Sequence, residues 1–168
     1  MPQPAIPGHR WPWIRLFGRS PGADGSPADD AQRGYAEVAL ELLARCDELH
    51  RGWLEQLDEQ RRHERLANAA AIYHWYLSAL RERLGTVEAP PSLRAWHEAL
   101  AAALDSAGRA TQLMSHGYRF YNVRRICDGG VLLEEALGQA AAVRDGLARL
   151  RDVDALSAPR PAERSAGS

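Results

Sequence analysis

Six histidines, two cysteines and 22 carboxylates are the groups in this 168-residue chain that could do acid–base, nucleophilic or metal chemistry. A metal pair inside a helical bundle needs Glu-x-x-His on two helices and further carboxylates on the others, because residues i and i+3 project into one core. The residues three before His50, His63, His74, His97 and His116 are Asp47, Gln60, Ala71, Arg94 and Leu113. Only Asp47 is of ligand type, and one Asp47/His50 pair does not make a site. Glu55, Glu59 and His63 form a helical ladder, but within a strongly charged stretch whose ordinary place is a solvated face. Cys46 and Cys127 lack the C-x-x-C partners of a zinc site and are too few for a disulfide framework, and sequence leaves open an interhelical disulfide between them because it does not set their Cα separation. Each has apolar neighbours and is expected to be a small buried hydrophobe. The phosphate-cradling G-x-x-x-x-G-K-[ST], the dinucleotide G-x-G-x-x-G and the nucleophile elbow G-x-S-x-G are all absent. The expectation is no catalytic residue, no metal and no cofactor.

Two Arg/His spacings qualify that expectation: Arg45-Cys-Asp-Glu-Leu-His50 and Arg109-Ala-Thr-Gln-Leu-Met-Ser-His116. They resemble the Arg-x(4–6)-His element of helical HEPN-type nucleases. That resemblance implies a small RNase in which His50 is the general acid or base and Arg45 holds a phosphate. The family pattern prefers a polar residue after the arginine, where this chain has Cys46 and Ala110. All 21 cations of the chain are arginine, and at that density about two such spacings arise by chance. The RNase is the enzymatic alternative.

The aromatic residues suggest binding. Tyr118-Arg-Phe-Tyr-Asn-Val-Arg-Arg125 interleaves rings and guanidinium groups as a single-strand nucleic-acid platform would. At a net charge of −1, with no second patch of this kind, we expect instead a helix junction that buries Phe120 and Tyr121 and leaves the arginines wet. Ile72-Tyr-His-Trp-Tyr76 should place Tyr73 in the core and His74, Trp75 and Tyr76 at its flanks, polar tips outward. A bundle holding an apolar ligand among Tyr73, Trp75, Trp96 and Phe120 is a further alternative.

The segment Arg10-Trp-Pro-Trp-Ile-Arg-Leu-Phe-Gly-Arg19 stands apart. Trp11, Trp13, Ile14, Leu16 and Phe17 lie with Arg10, Arg15 and Arg19 in an otherwise polar, Pro/Gly-rich stretch. Such rings need a place to bury: the chain's own bundle, a groove on a protein partner, or a membrane surface with arginine at the lipid phosphates. The composition is similar to that of Trp/Pro/Arg-rich membrane-active peptides. A single anchoring signal implies weak, reversible lipid contact.

The elements that position these groups follow from proline placement. Eight of the ten prolines fall in 1–27 or 159–161, and the other two are Pro90-Pro91. An interior proline costs a helix about 3 kcal/mol, so the proline-free, Ala/Leu-rich stretches 28–89 and 92–158 are expected to be helical. Tyr35, Ala39, Leu42, Cys46, Leu49 and Trp53 form a heptad seam, which Leu57 would extend. Leu66, Ala70, Tyr73, Leu77, Leu80 and Leu84 form a second seam, rotated from the first, so a turn or kink is expected near 60–64. Gly85 can close that helix. Ser92 is expected to cap a third, with the seam Leu93, His97, Leu100, Leu104, Ala107, Thr111 and Met114, ending at Gly117. Asn122 is expected to cap a fourth, with Ile126, Leu133, Leu137, Ala140, Leu147 and Leu150 inward. Short connections make neighbours antiparallel.

The predicted fold is therefore all-α: an antiparallel up-down helical bundle over 30–156, of four helices, or three if one helix runs through 58–65. Tails at 1–29 and 157–168 are expected to be disordered. The competing arrangement is a long hairpin folded about Pro90-Pro91. Residues 1–20 lack the apolar run of a secretory signal, so a bacterial, cytoplasmic protein is expected, with peripheral membrane contact through 10–19 as an option. The functional expectation is a non-enzymatic bundle with an interaction or scaffolding role, recruited to an unidentified protein partner or a membrane surface through 10–19. Homo-oligomerisation is possible in such a bundle, and no nucleic acid is expected.

Overall fold

The computed structural model describes residues 26–59 and 62–157, with side chains as far as Arg151. Four helices follow one another: α1 Pro27–Glu59, α2 His63–Gly85, α3 Arg94–Arg119 and α4 Val123–Ser157, with a single 3-10 turn at Pro91–Leu93 before α3. The chain does break where the two seams fall out of phase, at the end of α1.

Cross-helix contacts fix the topology. Ser115 Oγ donates to the Ala67 carbonyl, the His74 Nδ1–H donates to the Gly108 carbonyl, and Arg81 pairs with Asp105. Residue numbers rise on α2 as they fall on α3, so the two run antiparallel. Gly117 against Ile126, Gly129 against Met114 and Gly146 against Trp96 set α3 and α4 antiparallel in the same way. The α1–α2 break and the α3–α4 turn therefore share one end of the bundle. The start of α1 lies at the other end, where Tyr35 meets His97 at 5.9 Å between ring centroids.

The core is the set of seams. Tyr35, Ala39, Leu42, Cys46 and Trp53 from α1 meet Ala70, Tyr73, Leu77 and Leu84 from α2. Leu100, Leu104, Ala107 and Met114 from α3 meet Leu133, Ala136, Ala140, Val143 and Leu147 from α4. Leu57 and Leu150, expected inside, are exposed: Leu57 lies at the end of α1, and Leu150 lies one turn beyond Gly146, which packs on Trp96 near the start of α3. Cys127, expected to be buried, is exposed, while Cys46 is buried; both thiols are free. Ala136 and Val143 carry the α4 core where Leu137 was expected to, and Leu137 is only partly buried.

Helix starts differ from expectation in instructive ways. α1 begins at Pro27, which suits a first helical position because its missing N–H would be unpaired there anyway. The Ser26 carbonyl accepts from the Asp29 and Asp30 amides, and these carboxylates sit in the first turn. Ser92 does not cap α3: it lies inside the 3-10 turn, and Leu93 occupies the cap position without a side-chain bond. α3 runs past Gly117 to Arg119. Asn122 does cap α4, its Oδ1 accepting the Arg125 amide at 3.1 Å.

Candidate functional site

The α3–α4 turn departs most sharply from expectation. Phe120, Tyr121 and Val123 are not buried; their exposures are 67%, 73% and 67%. The turn is nevertheless well built. The Phe120 amide donates to the His116 carbonyl and the Asn122 amide to Gly117, before Asn122 opens α4. Tyr121 holds φ 53°, in the left-handed region. A side chain there costs about 1–2 kcal/mol, and glycine would hold the position more cheaply. The turn therefore presents an aromatic ring outward at a conformational cost.

The neighbouring α2 start completes this corner. His63 stacks on Tyr121 at 4.9 Å and meets Tyr118 edge-on at 5.8 Å. Burial raises the Tyr118 phenol above its ordinary pKa, and nearby Cys127 adds to the effect. Glu64, Ala67, Asn68, Tyr118, Arg119 and Tyr121 line an open cleft of about 420 Å³. Arg119 is exposed at its edge, Arg125 is exposed on the first turn of α4, and Arg124 makes a long 3.8 Å contact with Asp128. The corner is thus an exposed aromatic patch with Glu64, Asn68 and Arg119 in its cleft and further exposed arginines on the adjoining first turn of α4.

The interior holds a second cluster, of different character. His50 and Trp53 on α1 pack against Tyr73 of α2, at 6.5 and 6.1 Å between centroids. The Tyr73 hydroxyl and His50 Nδ1 are buried without a hydrogen-bond partner among the described residues. Burial pushes the Cys46 thiol up to about 11, reinforced by Asp47 and partly offset by Arg144. It also raises the Tyr73 phenol and lowers His50, the latter against the pull of Asp47 and Glu134. Such surroundings keep each group neutral, as packing demands.

The RNase-type pairs are not assembled on these helices. Arg45 lies on the solvent face of α1 and bonds Glu48 at 2.7 Å, whereas His50 turns toward Tyr73. Arg109 bonds Ser106, and His116 meets Phe120 edge-on. The four rings of the ligand-bundle alternative lie apart: Tyr73 inside, Trp75 on the outer face of α2, Trp96 against Gly146, and Phe120 at the corner. Among the described residues, no three His, Cys, Asp or Glu side chains stand close enough to share a metal ion. Arg10, Trp11, Trp13, Ile14, Arg15, Leu16, Phe17 and Arg19 lie outside the described residues.

Fold and corner together define a four-helix bundle with an exposed aromatic patch at one end. No known protein family, curated protein or solved structure matches the chain. Among the described residues, no helix is long and apolar enough to cross a membrane.

Proposed function

We propose that this protein is a non-enzymatic helical bundle with an interaction or scaffolding role. Its α3–α4 corner is a protein-docking patch, and residues 10–19 are a second adhesive segment through which it is recruited to a partner. The observation that carries the proposal is Tyr121: a costly backbone conformation supports a ring that the core does not use. Exposed aromatic residues flanked by arginine have the composition of interface hot spots. The adjoining guanidinium groups favour a partner with carboxylates around an apolar groove.

Affinity capture from host-cell lysate tests the reading. Full-length wild type is compared with the Phe120→Ser/Tyr121→Ser variant. The variant is expected to lose specific partners while keeping its helical circular-dichroism spectrum. An unchanged partner set would refute the patch. A parallel sedimentation run over a range of concentrations shows whether the captured partner is a second copy of the chain.

A further inference from the structure

Of the four helices, α1 is the least firmly seated. Nothing on it before Tyr35 or after Trp53 is buried. Between those residues, two of its ring contacts bury polar atoms that find no hydrogen-bond partner among the described residues. Tyr35 meets His97 of α3, and His50 meets Tyr73 of α2; both hydroxyls and both Nδ1 atoms are unpaired. Each gives up hydration on folding with no bond in return, so the seat of α1 is weaker than its apolar contacts alone would make it.

Local chemistry does not fix the break that folds α1 back. Asp58-Glu-Gln-Arg-Arg-His63 contains no glycine or proline. α1 has no basic residue in its last turn. Arg62 is extended before α2, with φ −100° and ψ 121°, and makes no side-chain cap. Neither helix end at the break carries a glycine or a side-chain cap, so packing sets the hairpin and local preference does not. The contacts of α1 with the other helices are what hold it closed.

We propose that α1 exchanges between two copies of this chain, each α1 packing on the α2–α4 unit of the other. Exchange of an identical element is a low-cost route to a dimer, because every contact it needs already exists within one chain. The α1–α2 contacts of His50 and Trp53 with Tyr73 are centred on the break, so a two-fold axis there remakes them between chains. The Asp47–Arg144 pair and the Tyr35–His97 contact are remade in the same way. What the dimer gains over two closed chains comes from the corner. The α1–α2 break and the α3–α4 turn share one end of the bundle, so chains that cross over at the break bring their corners end to end. Phe120, Tyr121 and Val123, exposed in one chain, then meet a second set. The corner and the adjoining turn of α4 carry both signs of charge, Glu64 and Asp128 with Arg119, Arg124 and Arg125, which suits a surface that pairs with its own copy. The inference rests on the corner being an adhesive patch, and it names a second copy as the partner there.

Two full-length single-site variants in a Cys127→Ser background test the exchange; Cys46 is buried and stays out of reach of reagent. One carries Asp47→Cys and the other Arg144→Cys. These positions are paired within the closed chain, so a short bis-maleimide joins them across two chains only after α1 has exchanged. The two are mixed, warmed and cooled at several concentrations, and the adducts are mapped by mass spectrometry. The 47–144 yield should rise with concentration and exceed that of a control pair, Arg45→Cys with Arg144→Cys, at least about fivefold. Inserting Gly-Ser-Gly-Ser between Gln60 and Arg61 eases closure within one chain and should cut the yield at least about fivefold. Phe120→Ser/Tyr121→Ser should cut it at least about threefold by removing the contact between corners. A yield no higher than the control, or one that ignores the insertion, would overturn the exchange. A yield that ignores the 120/121 variant would overturn the second copy as the partner of the corner. Lysate capture reads the corner alone, so its failure and a failure of exchange are separately visible.

Discussion

Tyr121 separates the demands of folding from those of binding. Replacing it with glycine relieves a left-handed backbone worth about 1–2 kcal/mol. It also removes the ring stacked on His63, worth about 0.5–1.5 kcal/mol. These terms oppose, leaving at most about 1.5 kcal/mol, so Tyr121→Gly should shift the melting temperature by less than about 7 °C while abolishing partner capture. A large thermal loss with capture intact would make the ring a structural prop. The two cysteines differ just as clearly. The Cys46 thiol, buried and pushed up to about 11, should resist a thiol reagent at neutral pH, whereas exposed Cys127 should react. One thiol should titrate in native protein and two in denaturant; two in native protein would contradict the burial. Hydrophobic pattern made Cys46 readable through its place in the Tyr35–Trp53 seam. The same logic misplaced Cys127, Phe120 and Tyr121, because pattern assumes a neighbouring helix and the end of a bundle does not supply one.

At the scale of elements, α4 shows what glycine does here. A methyl group at Gly129 would meet Met114 Cγ at 2.6 Å and the Ala110 carbonyl oxygen at 2.8 Å, backbone that cannot swing aside. At Gly146 it would meet the Trp96 ring at 2.3 Å, and at Gly138 nothing within 4 Å. Close approach of α3 and α4 therefore requires glycine at 129, makes a methyl group at 146 displace the Trp96 ring, and is indifferent to Gly138. Gly129→Ala should destabilise by about 1–3 kcal/mol through overpacking. Gly138→Ala should stabilise by up to about 1 kcal/mol through helix propensity. Urea unfolding of both variants checks the pair, and equal effects would contradict the packing. Seams, the break after α1 and the Asn122 cap were legible because each depends on local spacing or local hydrogen bonding. Which glycines matter was not, because it depends on the register between two helices. Ser92 failed as a cap for a related reason: Pro91 starts a 3-10 turn through it, which delays α3 to Arg94.

For the whole molecule, the interior cluster links stability to pH. His50 is packed against Tyr73, with Asp47 and Glu134 as the charged groups acting on it. Burial lowers its pKa below the ordinary 6.5, because an imidazolium there would lose hydration, and the two carboxylates only partly restore it. In the unfolded chain His50 returns to about 6.5. Between the depressed folded value and 6.5 the unfolded state binds more protons, so stability rises with pH across that window. The contribution is complete above 6.5 and lost as pH falls through the folded value. The urea midpoint of wild type should therefore drop between pH 7.5 and pH 5.5. His50→Leu removes the titration and fills the same apolar surroundings, so it should flatten this part of the dependence. Parallel pH profiles for wild type and His50→Leu would show that the bundle does not hold this ring neutral. In that case the α1–α2 contact around Tyr73 would be more open to water than the buried Nδ1 implies.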